Sequence, residues 1–301
     1  MRPPREPETE AVNERTRDFD RLPVLEQARL MNAEDRRAPD AVTAVLPQIA
    51  LAVTRIADAL RRGGRLVYVG AGTSGRLAML DAAECPPTFG TPPEQVQAAI
   101  AGGPAALVQA VEGAEDDAAA GAREMDTRAV GPNDAVVGIA ASGETRFVLG
   151  AVRRARERGA LTVGVACTPA SSLEAACEVS IVPITGPEVI AGSTRLKAGT
   201  AQKLVLNMLS TLAMVQIGKV YGNLMVDMQA TNAKLRQRAV RIVAAATGRD
   251  DAAAAHALAG AGGRVAVAIV MLARNLPAAE ALRRLAQAGG SVRRALGEAD
   301  R

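Results

Sequence analysis

The chain contains no tryptophan, and aromatic residues make up only 2% of its 301 positions. Its core must therefore be built from Ala, Leu, Val and Ile, and a nucleic-acid surface that works by stacking has almost nothing to stack with. Histidine is nearly missing as well, His256 being the only one. The three cysteines, Cys85, Cys167 and Cys177, form no C-x-x-C pair. That argues against a zinc site of His and Cys ligands and fits a reducing compartment. Long hydrophobic runs are absent too. The most apolar stretch, VAVAIVMLA from Val265, is too short to span a bilayer. The opening MRPPREPETEAVNERTRDFD has no apolar signal-peptide core. These absences predict a soluble cytoplasmic protein without a membrane partner.

What remains is a chain that is 49% apolar, too apolar to stay disordered and long enough for one large domain and a smaller one. The formal charge is +4 and the pI about 9.3, but the arginines are interleaved with Asp and Glu. With so few aromatics, this predicts no nucleic-acid partner. Residues 1–55 read as a flexible, Pro-rich start followed by helices. One helix spans Leu22 to about Asp35, and a longer one follows Pro39 and stops at the glycines of RRGG.

From there short apolar runs alternate with helical stretches. RLVYVG, VQAAIAG from Val96, AVVGIAASG from Ala135, LTVGVAC from Leu161 and VSIVPI from Val179 read as strands. ALVQAVEGAEDDAAAGAREM reads as one helix, as does the stretch through VLGAVRRARERG, with a short helix near SSLEAAC. This is the signature of an α/β fold, a doubly wound parallel sheet of five strands covered by helices on both faces. The sheet domain is assigned to residues 56–222. It closes with GSTRLKAGTAQKLVLNMLSTLAMVQIG, apolar on nearly every face, which suits a core or an oligomer interface. Residues 223–301 read as a helical C-terminal region, a small bundle from about 240. In it, Asn275 caps a helix that carries Pro277 in its first turn and stops at Gly-Gly.

The loops carry the chemistry. Gly70, Gly72 and Gly75 form G-x-G-x-x-G between a strand and a helix, the spacing of a dinucleotide fold. The next strand, however, ends in Ala101-Gly102-Gly103, and no acid stands there to hold a ribose. A simpler phosphate fits better. Thr73 and Ser74 sit where a helix begins, among free N–H groups at the positive end of its dipole; Ser74 could equally be only an N-cap. The third strand also ends in small residues and hydroxyls, Ser142, Gly143 and Thr145. Two such loops at the C-terminal ends of parallel strands can converge on one crevice, which suits a sugar phosphate.

Two carboxylates stand out. Glu84 is followed by Cys85-Pro86-Pro87, and prolines end helices, so Glu84 sits near a helix C-terminus, where its charge is unfavourable. It is either a solvated glutamate or a general acid or base. Glu112, Glu115, Asp116 and Asp117 cluster downstream, either as a solvated first helical turn or as a second acid/base group. Nothing in the cluster demands a metal.

GAGTSGRLAMLDAAECPPTFG closely resembles the signature of the N-acetylmuramic acid 6-phosphate etherases. AVEGAEDD, VVGIAASG, GPEVIAGSTRLKAGTAQKLVLNMLST and GKVYGNLMVDMQATN are similar to that family too, over about residues 20–240. The resemblance implies a sugar isomerase (SIS) fold and a homodimer that needs no cofactor. It implies cleavage of the lactyl ether to N-acetylglucosamine 6-phosphate and D-lactate, in cell-wall recycling. Carried over by motif, Glu84 and Glu115 are the catalytic acid/base candidates; by the reading of the two loops, Gly72, Thr73, Ser74, Gly75, Ser142, Gly143 and Thr145 hold the phosphate. Glu188, Ser193, Arg195 and Lys197 either line the sugar site or serve as helix caps and solvated charges. Ten helical residues from Ser74 to Glu84 span ~15 Å, more than a sugar needs from phosphate to C2, so either the helix bends or Glu84 acts on a phosphate held by the partner subunit; the second, a site at a dimer interface, is the expectation. This chain has ASGET where the family usually has ASGRT, so Glu144 puts a negative charge near the phosphate unless it points away; Arg146 could compensate. The same fold group includes a glucokinase regulator, so a non-catalytic sugar-phosphate sensor is the alternative, with a sugar-phosphate isomerase as a third reading.

Overall fold

The computed structural model describes residues 8–111, 113–228 and 232–298. Glu112 of the acidic cluster and the residues 229–231 of the GKVYGNLMVDMQATN motif lie outside them. Three helices lead in: α1 (Val24–Asp35), α2 (Arg37–Thr43) and α3 (Leu46–Arg61). The alternating part follows as β1 (Leu66–Gly70), α4 (Gly72–Phe89), β2 (Val96–Ile100), α5 (Ala118–Thr127), β3 (Ala135–Ile139), α6 (Arg146–Glu157), β4 (Leu161–Val165), α7 (Ser172–Ala176) and β5 (Val179–Ile181). The long α8 (Lys197–Gln216) comes next. A two-residue hairpin, β6 (Val220–Tyr221) with β7 (Leu224–Met225), leads into α9 (Ala233–Thr247), α10 (Asp251–Gly260), α11 (Val265–Arg274), α12 (Ala278–Gln287) and α13 (Val292–Ala295).

All five strands of the main sheet are parallel, in the order β2-β1-β3-β4-β5. Leu66 of β1 pairs with Val96 on one side and Ala135 on the other. β1, β3 and β4 are buried along their whole lengths, which is why they read as unbroken apolar runs and not as alternation. Because β2 lies on one side of β1 and β3 on the other, the connections leaving β1 and β3 diverge. The C-terminal ends of those two strands form the topological switch point, where open α/β sheets bind ligands.

Several local expectations are corrected. The helix expected to follow Pro39 as one piece is two, α2 and α3, with Pro39 inside the first turn of α2. The prolines after Glu84 do not end α4. The helix runs through Pro86 and Pro87 to Phe89, its last turn closed by Gly90 N–H donating to Pro86 O at 3.0 Å. The stretch expected as one helix from Ala106 to Met125 is broken, because Gly113 at φ +70° takes the chain into a left-handed turn. Only 118–127 is α-helical, with the Asp117 carboxylate accepting from Ala120 N–H as its N-cap. Asn275 ends α11 in the left-handed conformation (φ +51°); it does not begin α12.

The described chain forms two compact units. The first runs to Ala83 and from Glu94 to Ser210, and contains the sheet. The second comprises Glu84–Pro93 and the chain from Thr211 onward. Its core is centred on α11, whose residues Val265 to Val270 are all buried among α9, α10, α12 and α13. At its surface Tyr221 O–H donates to Glu298 Oε1 at 2.8 Å, with the Arg293 guanidinium 5.3 Å above the Tyr221 ring.

The first unit buries a complete ionic cluster. Lys197, 0% exposed, donates from Nζ to Glu34 Oε2 at 2.6 Å and to Pro187 O at 2.7 Å. Asn13 Nδ2 donates to the same Glu34 oxygen at 3.0 Å, and Arg15 pairs with Oε1 at 2.8 Å. Burial pushes the Glu34 carboxyl up, but Lys197, Asn13 and Arg15 together hold it below the ordinary value. At Asp134 the same contest is won by Arg65 and by the N–H groups of Gly131 and Arg65.

Removing one partner of such a pair strands a charge away from water. Glu34→Ala should lower unfolding free energy by about 3–5 kcal/mol, read as a shift in denaturant midpoint. Both carboxyls are depressed, so their contribution is present above about pH 4 and is lost as pH falls through the folded-state values. The acid limb of a Tm-against-pH curve should therefore be shallower in Glu34→Ala than in the parent.

Candidate functional site

The loops after β1 and β3 leave the sheet from paired positions, Gly70 opposite Ile139. The glycines of the first loop have distinct reasons. A Cβ on Gly70 would lie 2.7 Å from Gly75 N, and one on Gly75 only 2.5 Å from Ile100 Cγ1, so both are needed for the close approach of α4 to the strands. Gly72 is at φ +51°, with open space where a side chain would stand, which leaves its backbone accessible to a ligand.

Ser74 is 8% exposed, and its hydroxyl is not spent on capping α4. It donates to Gln202 Oε1 at 2.8 Å, across from the second turn of α8. Gln202 is itself buried, and its Nε2 has no hydrogen-bond partner among the described residues. A buried amide with only one half satisfied is unusual, and it stands beside the phosphate-loop candidate. Thr73 is half-buried against the same helix, 3.4 Å from where a Gly199 Cβ would be.

In the second loop Ser142 Oγ accepts from Glu144 N–H at 3.2 Å. Gly143 is at φ +74°, and a Cβ there would collide with Ser171 at 2.3 Å. Thr145 precedes α6, and its side chain makes no capping bond. Glu144 is exposed and turned toward α7: its carboxylate accepts from Ser172 N–H at 2.8 Å and from Ser172 O–H at 2.6 Å. Its carboxylate is thus engaged by Ser172, and Arg146 is exposed at the start of α6.

Glu115 sits in a short 3-10 turn, exposed. With Gly72, Arg76, Gln109 and Val111 it lines a cleft of about 250 Å³, so one sequence-derived carboxylate and one sequence-derived phosphate-loop residue share a cavity. Asp116 is exposed in the same turn, and Asp117 is committed to α5. Glu84 is exposed on α4 and belongs to the second unit. Ser193 and Arg195 lie in the turn before α8, half-buried and exposed respectively. Glu188 is 0% exposed and accepts from Lys197 N–H at 3.0 Å and Ala198 N–H at 2.9 Å, capping α8; burial pushes its carboxyl above the ordinary value against that pull. Lys197 has its ammonium committed to Glu34 and Pro187 O, as described above.

Sequence reasoning missed Gln202, Arg76 and Asp81. Asp81 is half-buried on α4, where desolvation pushes its carboxyl up although Tyr68 O–H (2.9 Å) and Ser210 O–H (3.1 Å) donate to it. Asp81 and Arg76 both lie inside the TSGRLAMLDAAE string, so their sequence neighbourhood was the available signal. Gln202 had none, being one polar residue in an apolar helix. Burial pushes the thiols of Cys167 and Cys177 up to about 12, so neither is a nucleophile. Among the described residues no three His, Cys, Asp or Glu side chains are arranged to hold a metal ion, and no single helix is long and apolar enough to cross a membrane.

The chain matches the glucokinase regulatory protein N-terminal SIS domain over residues 48–156 and the SIS domain over residues 115–212. An N-acetylmuramic acid 6-phosphate etherase of Mycolicibacterium smegmatis is 54% identical over 290 residues, covering 96% of this chain and 97% of that protein. A protein of the same name from Rubrobacter xylanophilus is 55% identical over 293 residues, covering 97% of each. Among solved structures, a phosphoheptose isomerase from Francisella tularensis shares the fold, at TM-score 0.50 and 18% identity over 64% of this chain and 100% of that one.

The Ser74–Gln202 contact can be measured by itself. Ser74→Ala leaves the buried amide with neither half satisfied and should cost about 1–3 kcal/mol of stability. In a double-mutant cycle with Gln202→Met, the double variant should lose clearly less than the sum of the singles, read from urea midpoints.

Proposed function

The chain belongs to the N-acetylmuramic acid 6-phosphate etherase family, and we propose that it cleaves the D-lactyl ether of N-acetylmuramic acid 6-phosphate with Glu84 and Glu115 as its acid and base. The observation that carries this assignment is the cleft in which Glu115 and Gly72 meet. It stands at the end of β1, beside the switch point of the sheet.

In this reading Gly72, Thr73, Ser74 and Gly75, with Ser142, Gly143 and Thr145, receive the 6-phosphate through N–H and O–H groups at the starts of α4 and α6. An ether is hard to hydrolyse directly. Opening of the sugar ring makes C1 an aldehyde and the C2 proton acidic. One glutamate removes that proton, the C3–O bond breaks, and lactate leaves with a proton from an acid. Water then adds across the C2–C3 double bond, its oxygen to C3 and a proton to C2, giving N-acetylglucosamine 6-phosphate. The net change is substrate plus water to sugar phosphate plus D-lactate. Two carboxyl groups in different protonation states suffice for this cycle.

The regulator and isomerase readings are not favoured, because relatives matching nearly the whole chain carry the etherase name. Homodimerisation is part of the proposal, with Glu84 acting on a phosphate held by the other subunit; the helical rise between Ser74 and Glu84 supports it. So is a cytoplasmic location, which the free cysteines suit.

Lactate release from N-acetylmuramic acid 6-phosphate is the direct assay. Glu84→Gln and Glu115→Gln should each lower kcat by ~10²–10⁴-fold with folding intact; a protein that binds the sugar phosphate but releases no lactate would overturn the reading. Mixing Glu84→Gln subunits with Ser74→Ala subunits should restore part of the activity if the site is shared, and should restore none if each subunit works alone.

A further inference from the structure

The substrate of the proposed reaction carries two anions, the 6-phosphate and the carboxylate of the lactyl group on C3. The loop hydroxyls and helix N-termini account for the first, and nothing assigned so far receives the second. The product sugar lacks this carboxylate, so a group that binds it acts on the ether and not on the sugar phosphate it yields.

The cleft that Glu115 shares with Gly72 has one cationic side chain in its wall, Arg76. It is half-buried at the start of the second turn of α4. Its Nε donates to Leu107 O at 3.2 Å and its Nη2 to Gln109 O at 3.3 Å. These two carbonyls fix the plane of the guanidinium, yet they take only two of its five N–H groups and supply no negative charge. Arg76 forms no ion pair with any described residue, Glu115 included. Most of the other buried or partly buried cations among the described residues are paired: Arg65 with Asp134, Arg128 with Glu124, Lys197 with Glu34, Lys219 with Asp227. A preoriented guanidinium facing a cavity without a counter-ion fits a carboxylate ligand, which it can hold through two parallel N–H bonds.

We propose that Arg76 binds the carboxylate of the lactyl leaving group, and so makes the site specific for the 3-O-lactyl ether. This rests on the etherase reading of the same cleft. Arg76 is then a specificity residue: it offsets the repulsion between the lactyl carboxylate and Glu115, and it orients the C3–O bond that breaks.

The test compares two ligands on one set of proteins: KM for N-acetylmuramic acid 6-phosphate, and the inhibition constant of N-acetylglucosamine 6-phosphate, which has the phosphate but no lactyl group. In Arg76→Met, KM for the ether should rise ~10- to 100-fold, the loss of a charge-assisted pair. The inhibition constant of the product sugar should stay within ~3-fold of the parent. Arg76→Lys, which keeps the charge and loses the fork, should fall between, and it carries the test if Arg76→Met does not fold. A phosphate-binding role, or one limited to pinning Leu107 and Gln109, would weaken both ligands together. That result, or no change in either, overturns the proposal while lactate release by the parent leaves the etherase reading standing. A parent that releases no lactate overturns both.

Discussion

The Lys197 ammonium has no access to water, and the first unit is arranged around that fact. An unpaired charge in such a place would cost several kcal/mol, so Glu34 and Pro187 O must come to it from 163 and 10 residues away along the chain, with Asn13 donating to the same Glu34 oxygen. Their convergence fixes the first residue of α8. Glu188, holding the next N–H groups, fixes the helix direction. Five residues on, the same helix presents Gln202 to Ser74. A salt bridge far from the surface thereby sets the position of a hydroxyl in the loop that follows β1. The pair is better read as a positional device than as a source of net stability, since buried ion pairs commonly stabilise no more than well-packed apolar groups.

The same economy shows at the switch point. The parallel sheet supplies two diverging loops, and the glycines let them approach. Gly75 permits α4 to touch β2, and Gly143 leaves room for Ser171. Glu144, which would repel a phosphate if it faced inward, is instead engaged by the first residue of α7. The loop is thus small and polar, with its one carboxylate held by α7.

Much of this architecture is legible in the residue order because it is local. The five strands show as short apolar runs, the loops as glycines and hydroxyls, and Glu115 as part of a dense acidic cluster. What is not legible depends on distant partners or on single backbone angles. Gln202 looks like a stray amide in an apolar helix until Ser74, 128 residues away, is set beside it. Lys197 reads as a surface cation until Glu34 is found. The 106–125 stretch has helical spacing, and Gly113 overrides it with one positive φ. The prolines after Glu84 carry a stop signal that α4 ignores, because near the end of a helix only a few bonds are forfeited before Gly90 closes it. The hairpin at Val220–Met225 is too short for any alternation to show.

The deeply shielded thiol of Cys167 gives the molecule a built-in clock. Cys167 reacts with alkylating reagents only as a thiolate, and it is fully buried, with its thiol pushed up to about 12. Its modification therefore has to wait for the surrounding structure to open. Cys167 lies against Ala198 O at the start of α8, so the rate at which it is labelled times the breathing of that part of the unit.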